Sequence, residues 1–61
     1  MLLLTHISDL YRIAEQVGNT AARQHAELAF EYARSGKHVD AFTEARAANR
    51  LLGYPINPML L

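Results

Sequence analysis

The chain contains no cysteine. Disulfides, thiolate metal sites and a cysteine nucleophile are therefore excluded. A chain without thiols fits a reducing compartment, and a cytoplasmic location is expected. Glycine occurs only at Gly18, Gly36 and Gly53, and isolated glycines build no phosphate-cradling loop. There is no long apolar run. Met1-Leu2-Leu3-Leu4 stops at Thr5-His6, with no basic region before it. A secretory core needs roughly 7–15 apolar residues and a membrane span about 20. The stretch reads instead as an apolar N-terminal flap packed on the core, and no membrane span is expected. Neither charge is in excess: six basic residues face six acidic ones, a formal net of zero. Binding nucleic acid by counterion release needs clustered Lys and Arg. Here Arg12, Arg23, Arg34, Lys37, Arg46 and Arg50 are spread out among acids. Near-zero net charge also gives little colloidal protection and favours association.

What is present is a chain of 61 residues, 51% of them hydrophobic. That composition is too apolar for intrinsic disorder, and the length allows a single domain over residues 1–61. A chain of this size buries only about 60% of the surface its unfolded form exposes. Without disulfides, stability must come from close helix packing, self-association or a bound partner.

Helix formers dominate from Ser8 to Leu52, β-branched residues are few, and no alternating strand pattern appears. The expected fold is all-α: a small three-helix unit, or one long helix followed by a short one. Ile7, Leu10, Tyr11, Ala14, Val17, Ala21, His25, Leu28, Ala29 and Tyr32 recur at helical spacing as one amphipathic stripe. Its phase continues across Gly18-Asn19-Thr20, so a single helix of about 30 residues is one solution. A break is the other. These three residues together cost about 2 kcal/mol relative to alanines. Gly18 suits the position just past a helix end, and Asn19 or Thr20 suits an N-cap. The break divides the stripe into helices at about 5–17 and 20–35.

Ser35-Gly36-Lys37 marks the next reversal, with Arg34 and Lys37 near the negative pole of the second helix. A third helix is expected from His38 or Val39 to Leu52. Asp40 and Glu44 lie near its positive pole, and its buried side should hold Ala41, Phe42, Ala45, Ala48 and Leu52, with Leu51 beside them. Gly53 stops it and Pro55 prevents continuation. The tail, residues 54–61, has prolines three apart and is apolar. It is expected to be extended, either folded back over the hairpin or docked on another chain.

The series Leu28, Ala29, Tyr32, Gly36, Ala41, Ala45 and Ala48 resembles a tetratricopeptide (TPR) helical hairpin, over about residues 22–53. Leu28 and Ala29 match that family's large-small pair, Tyr32 its helix A aromatic, and Gly36 its turn residue. Ala41, Ala45 and Ala48 match the small series of helix B. His25 and Ala45 stand where that family commonly has aromatics, and Gly53 replaces its closing proline. The resemblance implies an antiparallel hairpin. Its ligand groove spans several repeats and only one unit is present, so no binding residues carry over. A shorter likeness, in Ala48-Asn49-Arg50-Leu51-Leu52-Gly53-Tyr54, is to a helix-turn-helix of the Fis type. It makes DNA binding through residues 43–56 the alternative function, although no basic recognition helix follows.

No chemistry-bearing constellation emerges. His6, His25 and His38 include no pair at the i, i+4 spacing of a helical zinc motif. His25 on the stripe reads as a packed or interface residue. Ser8 and Ser35 lack the glycines of a nucleophile elbow. Glu27 and Glu31 share a helix face and read as surface partners of Arg23 and Arg34. So short a chain has little volume for a pocket of roughly 300 Å³ or more. The expectation is therefore no enzyme, cofactor, metal or small-molecule substrate. Phe30 lies off the stripe, near Ala26. It is either covered by a second neighbour or an exposed anchor. The expected function is a protein-interaction module acting as adaptor, inhibitor or subunit and associating with itself. Its expected contact residues are Leu3, Leu4, Tyr11, Phe30, Tyr54, Ile56, Met59 and Leu60.

Overall fold

Three helices form where the capping residues put their ends. In the computed structural model, which describes residues 2–53, α1 runs Leu2–Val17, α2 Thr20–Arg34 and α3 His38–Leu52. Among the described residues there is no strand. The Gly18-Asn19-Thr20 sequence breaks the helix rather than bending it. Gly18 takes φ +73°, in the left-handed region where a side chain is strained. Asn19 then caps α2, its Oδ1 accepting the Ala22 backbone N–H at 3.0 Å. The other end of the same amide is used as well, since Nδ2 donates to the Leu51 carbonyl at 3.1 Å. One residue thus starts α2 and ties the α1–α2 corner to the end of α3.

The second reversal works similarly. Gly36 takes φ +78°, and the Lys37 N–H returns to the Tyr32 carbonyl at 2.9 Å, closing the last turn of α2. Lys37 caps α3 through its backbone alone, and Asp40 lies in the first turn, where the helix dipole favours a carboxylate. α2 and α3 are antiparallel, since His25 pairs with Glu44 and Asn19 with Leu51. α1 covers this hairpin from one side, making far more of its contact with α2 than with α3.

The core is built mainly from small side chains. Leu3, Ile7 and Leu10 of α1 meet Ala26, Ala29 and Ala33 of α2 and Ala41, Ala45 and Ala48 of α3. Leu4, Tyr11, Tyr32, Phe42 and Leu52 pack around this cluster, partly buried. Alanine is what lets α2 approach both neighbours closely, because no side chain beyond Cβ holds the backbones apart. Asn49 is the one buried polar residue among those described, at 2% exposure. Its Oδ1 lies 2.7 Å from His6 Nε2. In this orientation the amide oxygen accepts from the imidazole N–H.

Several expectations change here. α1 begins at Leu2, three residues earlier than expected, so residues 2–4 of the apolar flap belong to the helix, with Leu3 in the core. Leu3 is 2% exposed; it serves the chain's own fold and is removed from the candidate contact residues. On α2 the buried line is Ala22, Ala26, Ala29 and Ala33. The expected Ala21 and Leu28 are exposed, and His25 and Tyr32 are half-buried. Val17 is 65% exposed at the end of α1, and Leu51 is exposed as well. The physical reason is common to α2. Where two helices press on a third, the small residues take the close approach and the large ones move to the flanks.

Candidate functional site

A face with apolar surface open to contact lies between α1 and α2. Ile7 and Tyr11 from α1 and Ala26, Leu28 and Phe30 from α2 line an open groove of about 690 Å³. This exceeds what so short a chain was expected to form. The reason is that the space lies between helices on the surface, not inside a core. Ile7 and Ala26 form its floor, being buried at the helix contact. Phe30 is 39% exposed and stands four residues after Ala26 on the same helix face. Of the two readings of Phe30, the covered one fails: the ring is exposed.

The rim is charged and ordered by pairs. Arg23 meets Glu27 at 2.9 Å, and Arg34 meets Glu31 at 3.5 Å, as the sequence spacing suggested. The Arg34 guanidinium also sits 5.8 Å from the centre of the Phe30 ring, within range of a cation–π contact. The Tyr11 hydroxyl, and after it the Glu27 carboxylate, raise the Arg23 pKa above its ordinary value. Exposed pairs of this kind are screened by solvent and contribute little to stability. Their clearer consequence is positional. They hold long side chains at the edge, with Arg34 placed over the Phe30 ring.

Of the expected contact residues, the structure brings Tyr11 and Phe30 together on this groove. Leu4 is half-buried against the core. Tyr54, Ile56, Met59 and Leu60 lie outside the described residues, as do the final residues of the 43–56 segment. Within that segment Arg46 and Arg50 are exposed and Asn49 is buried against His6. Compared with protein-family models, curated proteins and solved structures, the chain matches none.

Other polar side chains have partners within the fold. His25 Nδ1 lies 2.7 Å from Glu44 Oε1, joining α2 to α3 on the side away from Phe30. Arg12 pairs with Asp9 at 3.0 Å. Lys37 lies 5.9 Å from the Tyr32 ring centre. Among the described residues, no three His, Asp or Glu side chains gather as metal ligands would, and no helix is long and apolar enough to cross a membrane. Sequence reasoning passed over Ile7, Ala26 and Leu28 as groove residues. The spacing of Ala26 to Phe30 was the available signal, because an alanine one turn before an off-stripe aromatic marks a second contact face.

Proposed function

We propose that this chain is a small, non-catalytic protein-interaction module that works by contact in the cytoplasm and associates with itself. The observation that carries the reading is the α1/α2 groove, in which Tyr11 and Phe30 keep aromatic surface available above a floor of Ile7 and Ala26. Elsewhere the helices pack through alanines, so a large aromatic left partly open stands out energetically. Aromatic anchors in apolar depressions carry most of the energy of protein contacts. The TPR-like character of the α2–α3 hairpin belongs to the same proposal: small residues at the helix contact and a glycine reversal at Gly36 are the supporting features. A single hairpin with one covering helix is a partial stack, and stacks of this kind gain stability from a neighbour.

Sedimentation equilibrium over micromolar concentrations tests the self-association. The expected result is a mass that rises with concentration. Phe30→Asp should shift that curve towards monomer while leaving the helical circular dichroism unchanged. A mass fixed at the monomer across the range sinks the self-association. A Phe30→Asp variant that associates as the parent does sinks the groove as its site.

A further inference from the structure

One flank of α2 carries a charge order that is complementary to itself. Arg23, Glu27, Phe30 and Arg34 follow one another at spacings of four, three and four residues, so they form one stripe along the helix. The stripe borders the α1/α2 groove, which Glu27 and Phe30 both line. Among the described residues, nothing covers its centre: Glu27, Phe30 and Arg34 are all exposed.

From Glu27 to Arg34 the stripe reads acid, aromatic, base. Turning a second copy end for end exchanges the acid with the base. An antiparallel copy, related by a two-fold axis near Phe30, therefore meets Glu27 with Arg34 at one end and Arg34 with Glu27 at the other. Such a contact uses the same patch on both copies, so one attractive pair is made twice. The two Phe30 rings face each other near the axis, beside the Tyr11 and Ile7 wall of the groove. Arg34 is held by its own helix only loosely, 3.5 Å from Glu31. It lies over the Phe30 ring, close to where the second copy's Glu27 arrives.

The same residues disfavour the other ways of pairing two α2 helices. A parallel pair sets Glu27 against Glu27 and Arg34 against Arg34. An antiparallel pair slid by one turn, with Phe30 opposite Glu27, sets Arg23 against Arg34. Like charges placed together in this way oppose association. A slide of one turn in the other direction carries Glu27 past Arg34, the last residue of α2, and forfeits the pair. The zero formal net charge adds no general repulsion between copies.

We propose that a second copy of this chain occupies the groove as a two-fold symmetric dimer, in which the α2 helices run antiparallel and Glu27 of each copy pairs with Arg34 of the other. This rests on the interaction reading above and deepens it. That reading supplies the association through Phe30. The charge order supplies its symmetry and register.

Exchanging the charges at these two positions tests the register, with sedimentation equilibrium of the full chain as the readout. Glu27→Arg alone sets arginine against arginine at both ends of the contact. Arg34→Glu alone sets glutamate against glutamate. Each should weaken association by about tenfold or more. An equimolar mixture of the two single variants should associate as the parent does, because every pair across the contact is again opposite in sign. The chain carrying both Glu27→Arg and Arg34→Glu should also associate with itself. It should show no energy transfer to fluorescently labelled parent, since that combination juxtaposes like charges. The double variant keeps the like-charge neighbours that the single variants create within α2, at 23 and 27 and at 31 and 34. Its recovery therefore has to come from the contact between copies and not from the helix. Single variants that associate as the parent does overturn the register, and so does a mixture that stays monomeric. If Phe30→Asp still abolishes association in those cases, the groove reading stands without this register. A parent that is monomeric throughout the range removes the self-association and the register together.

Discussion

Asn19 uses both ends of one amide, and the two ends can be separated by substitution. Its oxygen caps α2 at the Ala22 N–H, and its nitrogen reaches the Leu51 carbonyl 32 residues away. Asn19→Ala removes both and should lower unfolding stability by about 1–2 kcal/mol, most of it from the cap. Asn19→Asp keeps the cap acceptor but sets a carboxylate against a carbonyl oxygen. It should fall between the parent and Asn19→Ala in urea unfolding. Equal stability of Asn19→Asp and the parent would mean that the link to Leu51 contributes nothing. Gly36 isolates a different effect. A Cβ built at this position meets nothing within 4 Å, yet φ is +78°. Gly36→Ala should therefore cost about 1 kcal/mol from backbone conformation alone, and Gly36→Asn less, since Asn tolerates this region better. Thermal unfolding of the two variants checks the order. If alanine were as stable as glycine, the turn would have to relax out of the left-handed region.

At the scale of the element, α2 is the helix that both neighbours press on. Ala22, Ala26, Ala29 and Ala33 occupy one line at i, i+4, i+7 and i+11 and are all buried. Ala29 belongs to the core shared with α1 and α3 and is 0% exposed, so Ala29→Leu has no vacant volume to enter. It should destabilise by about 1–3 kcal/mol or separate the helices, whereas Leu28→Ala one position away should cost under about 1 kcal/mol, because Leu28 is already 46% exposed. Chemical denaturation of the pair measures the contrast, and its reversal would place the α2 contact line one residue off. The same pair explains what was legible in the sequence. The helix ends from Val17 onward were readable, because Gly18, Asn19, Gly36 and Gly53 act locally through φ and capping; the start of α1 was not, since it begins at Leu2 and not at Thr5. The buried line of α1 was readable in part: Ile7, Leu10 and Ala14 are buried as expected, whereas Val17 is exposed and Leu3 joins the core. The line of α2 was not. Ranking side chains by apolar bulk selects Leu28 and Tyr32, while a closely approached helix buries its smallest residues. Asn49 was missed for the complementary reason: its burial depends on His6, 43 positions distant, and local pattern carries no trace of that partner. The groove was legible only through Phe30, because its α1 wall exists only after tertiary packing.

For the molecule as a whole, the small side chains of the core limit how much stability a lone chain can reach. A core whose α2 and α3 contributions are entirely alanine removes less apolar surface from water than one of leucines, at roughly 25 cal/mol per Å². Exposed ion pairs do not make up the difference. Arg12–Asp9, Arg23–Glu27 and Arg34–Glu31 are all exposed and each joins two residues of its own helix, and pairs of this kind add little. Raising the salt concentration should accordingly change stability little. Association is the remaining source, and it has a signature that packing lacks. If copies pair in the native state and not in the unfolded state, each tenfold rise in concentration favours the native dimer by about 1.4 kcal/mol. The melting temperature of the parent chain should then climb with protein concentration. Phe30→Asp should flatten that dependence and lie below the parent mainly at the concentrated end, because Phe30 contributes part of its surface to the groove and not to the alanine core. Differential scanning calorimetry over a concentration series measures both slopes. A parent melting temperature independent of concentration would show that the three helices reach their stability alone, and the self-association through Phe30 would fall with it.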